Sequence, residues 1–340
     1  MTDTAAPAGL DLGNLTTHLQ RVGSDLFDGP LSARLISGGR SNLTYEVTDG
    51  TRRRVLRRPP LGHVLATAHD MAREYRVLTA LSGTAVPVPR THLLCEDPDV
   101  IGAPFYLMDL VDGTPYRTAE QLAPLGPARV RAISERMIDT LAALHAVDPG
   151  SVGLENFGRP QGFLARQVRR WTTQLENSRS RDLPEADELH ELLEARLPED
   201  GTAGIVHGDF RLDNLLVDDH DEVAAVLDWE MATLGDPLTD VALLLVYQRL
   251  ARLDAGFPVS TVSQAPGFLG DDELLSRYDA AGGRDASDLA FHLALAYYKL
   301  AVILEGIYFR YRQGKTVGDG FDKIGDGVVP LLREGIAVLR

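Results

Sequence analysis

Hydrophobic spacing divides the chain into two regimes. Through the first third, short apolar stretches are separated by Gly-rich or charged turns: Leu35–Ile36, Leu43–Val47, Val55–Arg57, His92–Cys95 and Phe105–Leu110. Such stretches predict the strands of an antiparallel meander. One helical period interrupts them over Thr67–Leu81, with Met71, Tyr75, Leu78 and Leu81 on one side. Beyond Val111-Asp112-Gly113 the periods lengthen, and helices are predicted over Arg129–Ala146, Gly162–Asn177, Glu185–Leu197, Thr239–Leu253, Leu289–Arg312 and Gly327–Leu339. Strands are expected there only between Gly204 and Leu227. Strands followed by helices predict an α+β fold with a cleft between two lobes, residues 1–112 and 113–340, divided at the Asp-Gly turn. The first dozen residues read as a loose tail.

Composition narrows the setting. The most apolar stretch, Leu289–Phe309, is interrupted by His292, Lys299 and Glu305, so it reads as a buried helix and not a membrane span. The N-terminus lacks the basic start and apolar run of a secretory signal. A single cysteine, Cys95, excludes an internal disulfide and a cysteine-rich metal site. These features point to the cytoplasm. The net charge of −15 argues against a nucleic-acid surface. Only −2 of it falls in the residues up to Asp112, and −13 follows. That excess fits an acidic surface or a groove that attracts a cation.

The chemistry concentrates in Ile205-Val206-His207-Gly208-Asp209-Phe210-Arg211-Leu212-Asp213-Asn214-Leu215-Leu216-Val217, with Val226-Leu227-Asp228-Trp229-Glu230 after a short hairpin. Asp209, Asn214 and Asp228 each sit at a strand end. Phosphoryl transfer needs a carboxylate to orient an acceptor hydroxyl and oxygen ligands to hold Mg²⁺ on phosphates. Asp209 suits the catalytic role, and Asn214 and Asp228 suit the metal. The spacing His-x-Asp-x-x-x-x-Asn, followed by a metal-binding aspartate, is the pattern of protein kinases. His207 is expected to brace the loop. A hydrolase with Asp209 and Asp228 as paired carboxylates would leave Asn214 without a purpose.

These residues, with Gly235-Asp236-Pro237-Leu238-Thr239-Asp240, resemble the aminoglycoside phosphotransferase and choline kinase superfamily. Within it the resemblance is closest to the kinase-like domains found beside or fused to acyl-CoA dehydrogenases, and it runs from about Leu35 to Leu245. It implies a protein-kinase-like two-lobed fold, ATP or GTP as donor, and a small hydroxylated acceptor.

Ser37-Gly38-Gly39-Arg40-Ser41-Asn42 lies between two predicted strands, where Gly39, Arg40, Ser41 and Asn42 could bring backbone N–H groups to phosphate oxygens. The superfamily expects a lysine on the third strand, yet no lysine precedes Lys299. Arg57 stands at that place, on the same strand face as Val55, which would roof the base. Glu74, within Arg73-Glu74-Tyr75, is the expected partner of Arg57. Phe105 to Gly113 resembles the hinge, with Met108 lining the pocket and the backbone of Asp109 and Val111 meeting the base edge.

The acceptor is less legible. Glu230, Asp271, Asp272 and Glu273 would form an acidic collar suited to an amino alcohol or aminoglycoside. Tyr297, Tyr298, Ile307, Tyr308, Phe309 and Tyr311 form an aromatic stripe that is either core or an acyl groove, with Arg310, Arg312 and Lys315 beyond it. The resemblance points to hydroxyacyl-CoA. A second reading is a pseudokinase, a nucleotide-binding regulatory module, supported by the missing lysine. Oligomeric state is not legible.

Overall fold

A computed structural model describes residues 7–37, 42–61, 69–251, 260–316 and 321–340, without the Ser37 side chain. Contacts group the chain into two units: Met1–Gly113 with Ala224–Glu230, and Thr114–Val223 with Met231–Arg340. The short return of Ala224–Glu230 to the first unit is not anticipated by a single boundary at the Asp-Gly turn.

The first unit holds a five-stranded antiparallel sheet: β1 (Ser32–Ser37), β2 (Leu43–Thr48), β3 (Arg53–Arg58), β4 (Thr91–Cys95) and β5 (Phe105–Asp109), in the order β1-β2-β3-β5-β4. Register follows the side-chain alternation. Tyr45 pairs with Leu56 and Leu56 with Leu107, so all three share a face. That face joins a buried cluster with Leu15 and Leu19 of α1 (Leu12–Arg21). On the other face Val55 pairs with Met108 and Arg57 with Tyr106. The helix α2 (Met71–Leu81) packs against β4 and β5, burying Met71, Glu74, Val77, Leu78 and Leu81.

One expectation changes here. Residues 8–10 are not loose: Tyr45 Oη donates to Ala8 O at 2.6 Å, Arg58 Nη1 donates to Gly9 O, and Leu10 is buried. The helix α1 then supplies the apolar cover that one sheet face requires. Arg58, which ties the start of the chain to the sheet, is buried and also donates to Ile101 O at 2.9 Å.

The second unit is built from α3 (Ala119–Leu122), α4 (Pro127–Ala146), α5 (Phe163–Ser178), α6 (Pro184–Ala195), α7 (Leu238–Leu250), α8 (Asp271–Ala280), α9 (Ala290–Arg312) and α10 (Val328–Leu339). The helix α9 packs against α5, α6, α7 and α10 and is apolar around most of its girth, as a central helix must be. Among the described residues it is long and apolar enough to cross a membrane, with a mean hydropathy of 1.4, but 78% of that stretch is buried by the protein itself. Burial, not its charged residues, therefore separates it from a membrane span.

Short strands complete the fold: β6 (Gly204–Val206), β7 (Leu215–Val217), β8 (Val223–Val226), of which Ala224–Val226 belong to the first unit, and β9 (Thr233–Gly235). The last lies outside the expected Gly204–Leu227 window. It pairs antiparallel with β6, Gly204 opposite Gly235, and so brings His207 beside the start of α7.

Candidate active site

In the first unit, Glu74 on α2 accepts from three donors. Arg57 Nε reaches its Oε2 at 2.8 Å, Tyr106 Oη reaches the same oxygen at 2.9 Å, and Asn42 Nδ2 reaches Oε1 at 2.7 Å. Arg57 Nη2 also donates to Asp228 Oδ1 at 2.9 Å. Burial works against the Arg57 charge, but Glu74, Tyr106 and Asp228 hold its pKa above the ordinary value. Burial raises the Glu74 pKa above the ordinary value, and the Arg57 guanidinium and the Tyr106 hydroxyl pull against that rise by favouring the ionised carboxylate. The arginine and glutamate singled out in the sequence are thus brought together.

Asp228 itself has φ of 64°, the left-handed region that a non-glycine residue rarely occupies. The turn is fastened beside it by Trp229 Nε1 donating to Val226 O at 3.0 Å, and by Val226 N–H donating to Pro87 O at 2.8 Å. Among the described residues no hydrogen bond reaches Asp228 Oδ2, and the side chain is 30% exposed. An oxygen so placed suits a hard cation.

The other nucleotide residues fare unevenly. Val55 and Met108 are buried cross-strand partners. Gly39, Arg40 and Ser41 lie outside the described residues. Asn42 is within them, but its amide serves Glu74, and His69 Nδ1 lies 2.8 Å from its Oδ1. Asp109 donates its N–H to Arg90 O at 2.8 Å, which narrows the backbone group that could meet a base edge to its carbonyl. Its carboxylate lies 2.7 Å from His92 Nε2. Val111 follows β5 with its side chain half-buried.

In the second unit, the strand β6 delivers His207-Gly208-Asp209. Asp240, in the first turn of α7 and fully buried, accepts the N–H of His207 and of Gly208, each at 2.7 Å. Burial raises the Asp240 pKa, but His145 and these backbone donors more than reverse it, leaving it below the ordinary value. Gly208 has φ of +87°, and a Cβ there would lie 2.8 Å from Met231 Cβ. Lys299 Nζ donates to Gly208 O at 3.0 Å, and burial lowers its pKa. His207 is buried and its Nδ1 accepts the Asp209 N–H at 3.2 Å. It braces the loop.

The Asp209 carboxylate is held on both oxygens. Asn214 Nδ2 donates to Oδ2 at 3.0 Å and to the Asp209 carbonyl at 2.8 Å. Tyr247 Oη donates to Oδ1 at 3.1 Å. Arg211 Nε is 3.4 Å from Oδ2 without hydrogen-bond alignment, and its guanidinium lies over the Tyr247 ring at 5.1 Å. With its amide nitrogen committed to the loop, Asn214 keeps its oxygen for other partners, again an oxygen donor suited to Mg²⁺.

Sequence reasoning missed Tyr106, Tyr247 and the brace role of Asp240. Tyr106 was detectable by alternation, two residues before Met108 on the Arg57 face. Tyr247 is the lone polar tip in an apolar run, seven residues after Asp240 and so on the same helix face. Two of the four residues of the acidic collar are paired with arginines: Asp271 with Arg249 and Glu273 with Arg131, each at 2.8 Å. Tyr297 and Tyr298 are fully buried core residues. Tyr308 and Tyr311 stack on each other, with Arg181 and Arg312 over the Tyr308 ring at 5.0 and 5.8 Å.

A profile of the phosphotransferase enzyme family matches residues 32–284. The chain is 38% identical over 322 residues to acyl-CoA dehydrogenase family member 11 of Gallus gallus, covering 92% of this chain and 41% of that protein. It therefore spans less than half the length of that curated relative. A solved structure from Ralstonia eutropha, assigned as an aminoglycoside phosphotransferase, is 33% identical with a TM-score of 0.85, covering 97% of this chain and 98% of the other. A thermostable aminoglycoside phosphotransferase mutant, solved as a ternary complex with AMP-PNP and hygromycin B, is 18% identical with a TM-score of 0.60 and covers 96% and 97% of the two chains. That likeness concerns the fold alone. Sequence and fold agree: the chain belongs to the phosphotransferase enzyme family, as a small-molecule kinase of protein-kinase-like fold.

Proposed function

We propose that the chain moves the γ-phosphate of ATP or GTP onto a hydroxyl of a small molecule, with Mg²⁺, and that the acceptor is a hydroxyacyl-CoA. The observation that carries this reading is the Asp209 carboxylate, held by Asn214 and Tyr247 on a loop braced by Asp240. A carboxylate so oriented can take the acceptor's proton as its oxygen attacks the γ-phosphorus. Arg57, oriented by Glu74, would bind donor phosphates. Asn214 and Asp228 would hold Mg²⁺, which when bound neutralises charge on the phosphates.

Support for a nucleotide donor comes from the family and from the AMP-PNP bound to the neighbour of like fold. Support for the acyl-CoA class comes from the dehydrogenase-named relative. The pairing of Asp271 and Glu273 with arginines weakens the case for an aminoglycoside, which needs free carboxylates. The test is transfer of labelled phosphate from ATP and GTP into hydroxyacyl-CoAs, amino alcohols and aminoglycosides. Label in the hydroxyacyl-CoA pool, lost in Asp209→Ala, is expected. Label in another pool overturns the acceptor; tight Mg-nucleotide binding with no label in any pool favours a regulatory module.

A further inference from the structure

A kinase that orients a hydroxyl with a carboxylate faces a competitor in water, which has the same group. In this chain the Asp209 carboxylate is not open on the oxygen left free by Asn214: Tyr247 Oη donates to Oδ1 at 3.1 Å. The ring is covered there by the Arg211 guanidinium, 5.1 Å above its centroid, which itself pairs with Asp213 Oδ2 at 3.0 Å. The tyrosine projects from α7, whose first turn carries Asp240, so the helix that braces the loop also fixes the hydroxyl. Burial, and then the Asp209 charge, push the Tyr247 pKa upward, so the phenol stays a proton donor.

We infer that Tyr247 caps Asp209 against water: its hydroxyl holds the position on Oδ1 that the acceptor hydroxyl takes, and so suppresses hydrolysis of the donor nucleotide until an acceptor binds. This rests on the reading of Asp209 as the catalytic carboxylate. The suppressed side reaction is attack of a water oxygen on the γ-phosphorus. The β–γ bridging P–O bond breaks, the diphosphate leaves with that electron pair, and the water's proton passes to Asp209. Tyr247 is in this sense a positioning and specificity residue.

The experiment needs no knowledge of the acceptor. Inorganic phosphate release from Mg-ATP and Mg-GTP, without acceptor, is measured for wild type, Tyr247→Phe, Asp209→Asn and the double variant, alongside thermal unfolding of each. Tyr247→Phe keeps the ring under Arg211 and removes only the hydroxyl. Its hydrolysis is expected to rise about tenfold, a modest share of what a general base supplies, and to fall back in the double variant. A purely structural role for Tyr247 predicts the opposite direction, since a disturbed site loses activity. Equal or slower hydrolysis by Tyr247→Phe, at whatever level, overturns the cap alone, and Asp209-dependent transfer by the wild type would still stand. A rise that persists in the double variant overturns both the cap and the reading of Asp209.

Discussion

Arg57 Nη2 donates to Asp228 Oδ1 at 2.9 Å while Arg57 Nε holds Glu74 Oε2 at 2.8 Å, so one guanidinium joins two carboxylates, on residues 17 and 171 positions away along the chain. A lysine has a single compact head and cannot offer two such donors along fixed directions. The residue that departs from the superfamily pattern is therefore the one that makes this bridge.

Arg57→Lys is expected to keep the Glu74 pair and lose the Asp228 one. A lysine also offers the donor phosphates one charged hydrogen bond fewer, a bond that contributes about 1.5–3 kcal/mol, so KM for the Mg-nucleotide should rise roughly tenfold or more. Steady-state kinetics over a nucleotide series would check this. An unchanged KM would deny Arg57 its role on the donor phosphates.

Asp228→Ala should abolish the Mg²⁺ dependence of nucleotide binding, because a metal at this site would lose its carboxylate. Calorimetric titration with and without Mg²⁺ gives the answer directly. Asp209→Ala should instead retain nucleotide affinity while transfer disappears.

Asp240 sets a pH dependence. Its folded-state pKa lies below the ordinary 3.8, so its contribution to stability is present above 3.8 and is lost as pH falls through the folded value. The stability gap between wild type and Asp240→Asn in urea should be full near neutrality and shrink below about pH 4. A gap that widens on acidification would contradict the ionised brace.

Gly208→Ala should cost about 1–3 kcal/mol of stability, since any side chain there must adopt a left-handed φ. It also meets Met231 Cβ at 2.8 Å and Met231 O at 2.9 Å. Activity should fall with it, because Asp209 is the next residue. Thermal unfolding paired with transfer assays would detect both, and wild-type behaviour would mean that the loop relaxes freely.

Much of this was readable in advance where spacing is local. The helices over α4, α5, α6, α9 and α10 were expected to within two residues at each end, because long amphipathic or fully buried periods repeat many times. Asp209 and Asn214 could be paired because one short loop presents both. By contrast β9 is three residues long, too short for alternation to register, and α1 became necessary only once Tyr45, Leu56 and Leu107 were seen to share an uncovered face.

The sequence alone thus determined the fold class, the two regimes of structure and the spacing of Asp209, Asn214 and Asp228, since each is encoded within a few turns or strands. The tertiary structure alone decided that Asp109 spends its N–H on Arg90, that Tyr247 sits on Asp209 from 38 residues away, and that Tyr297 and Tyr298 are core. The reason is physical. Local spacing sets which groups an element presents, whereas ion pairs, caps and burial depend on which distant segments come to pack against it.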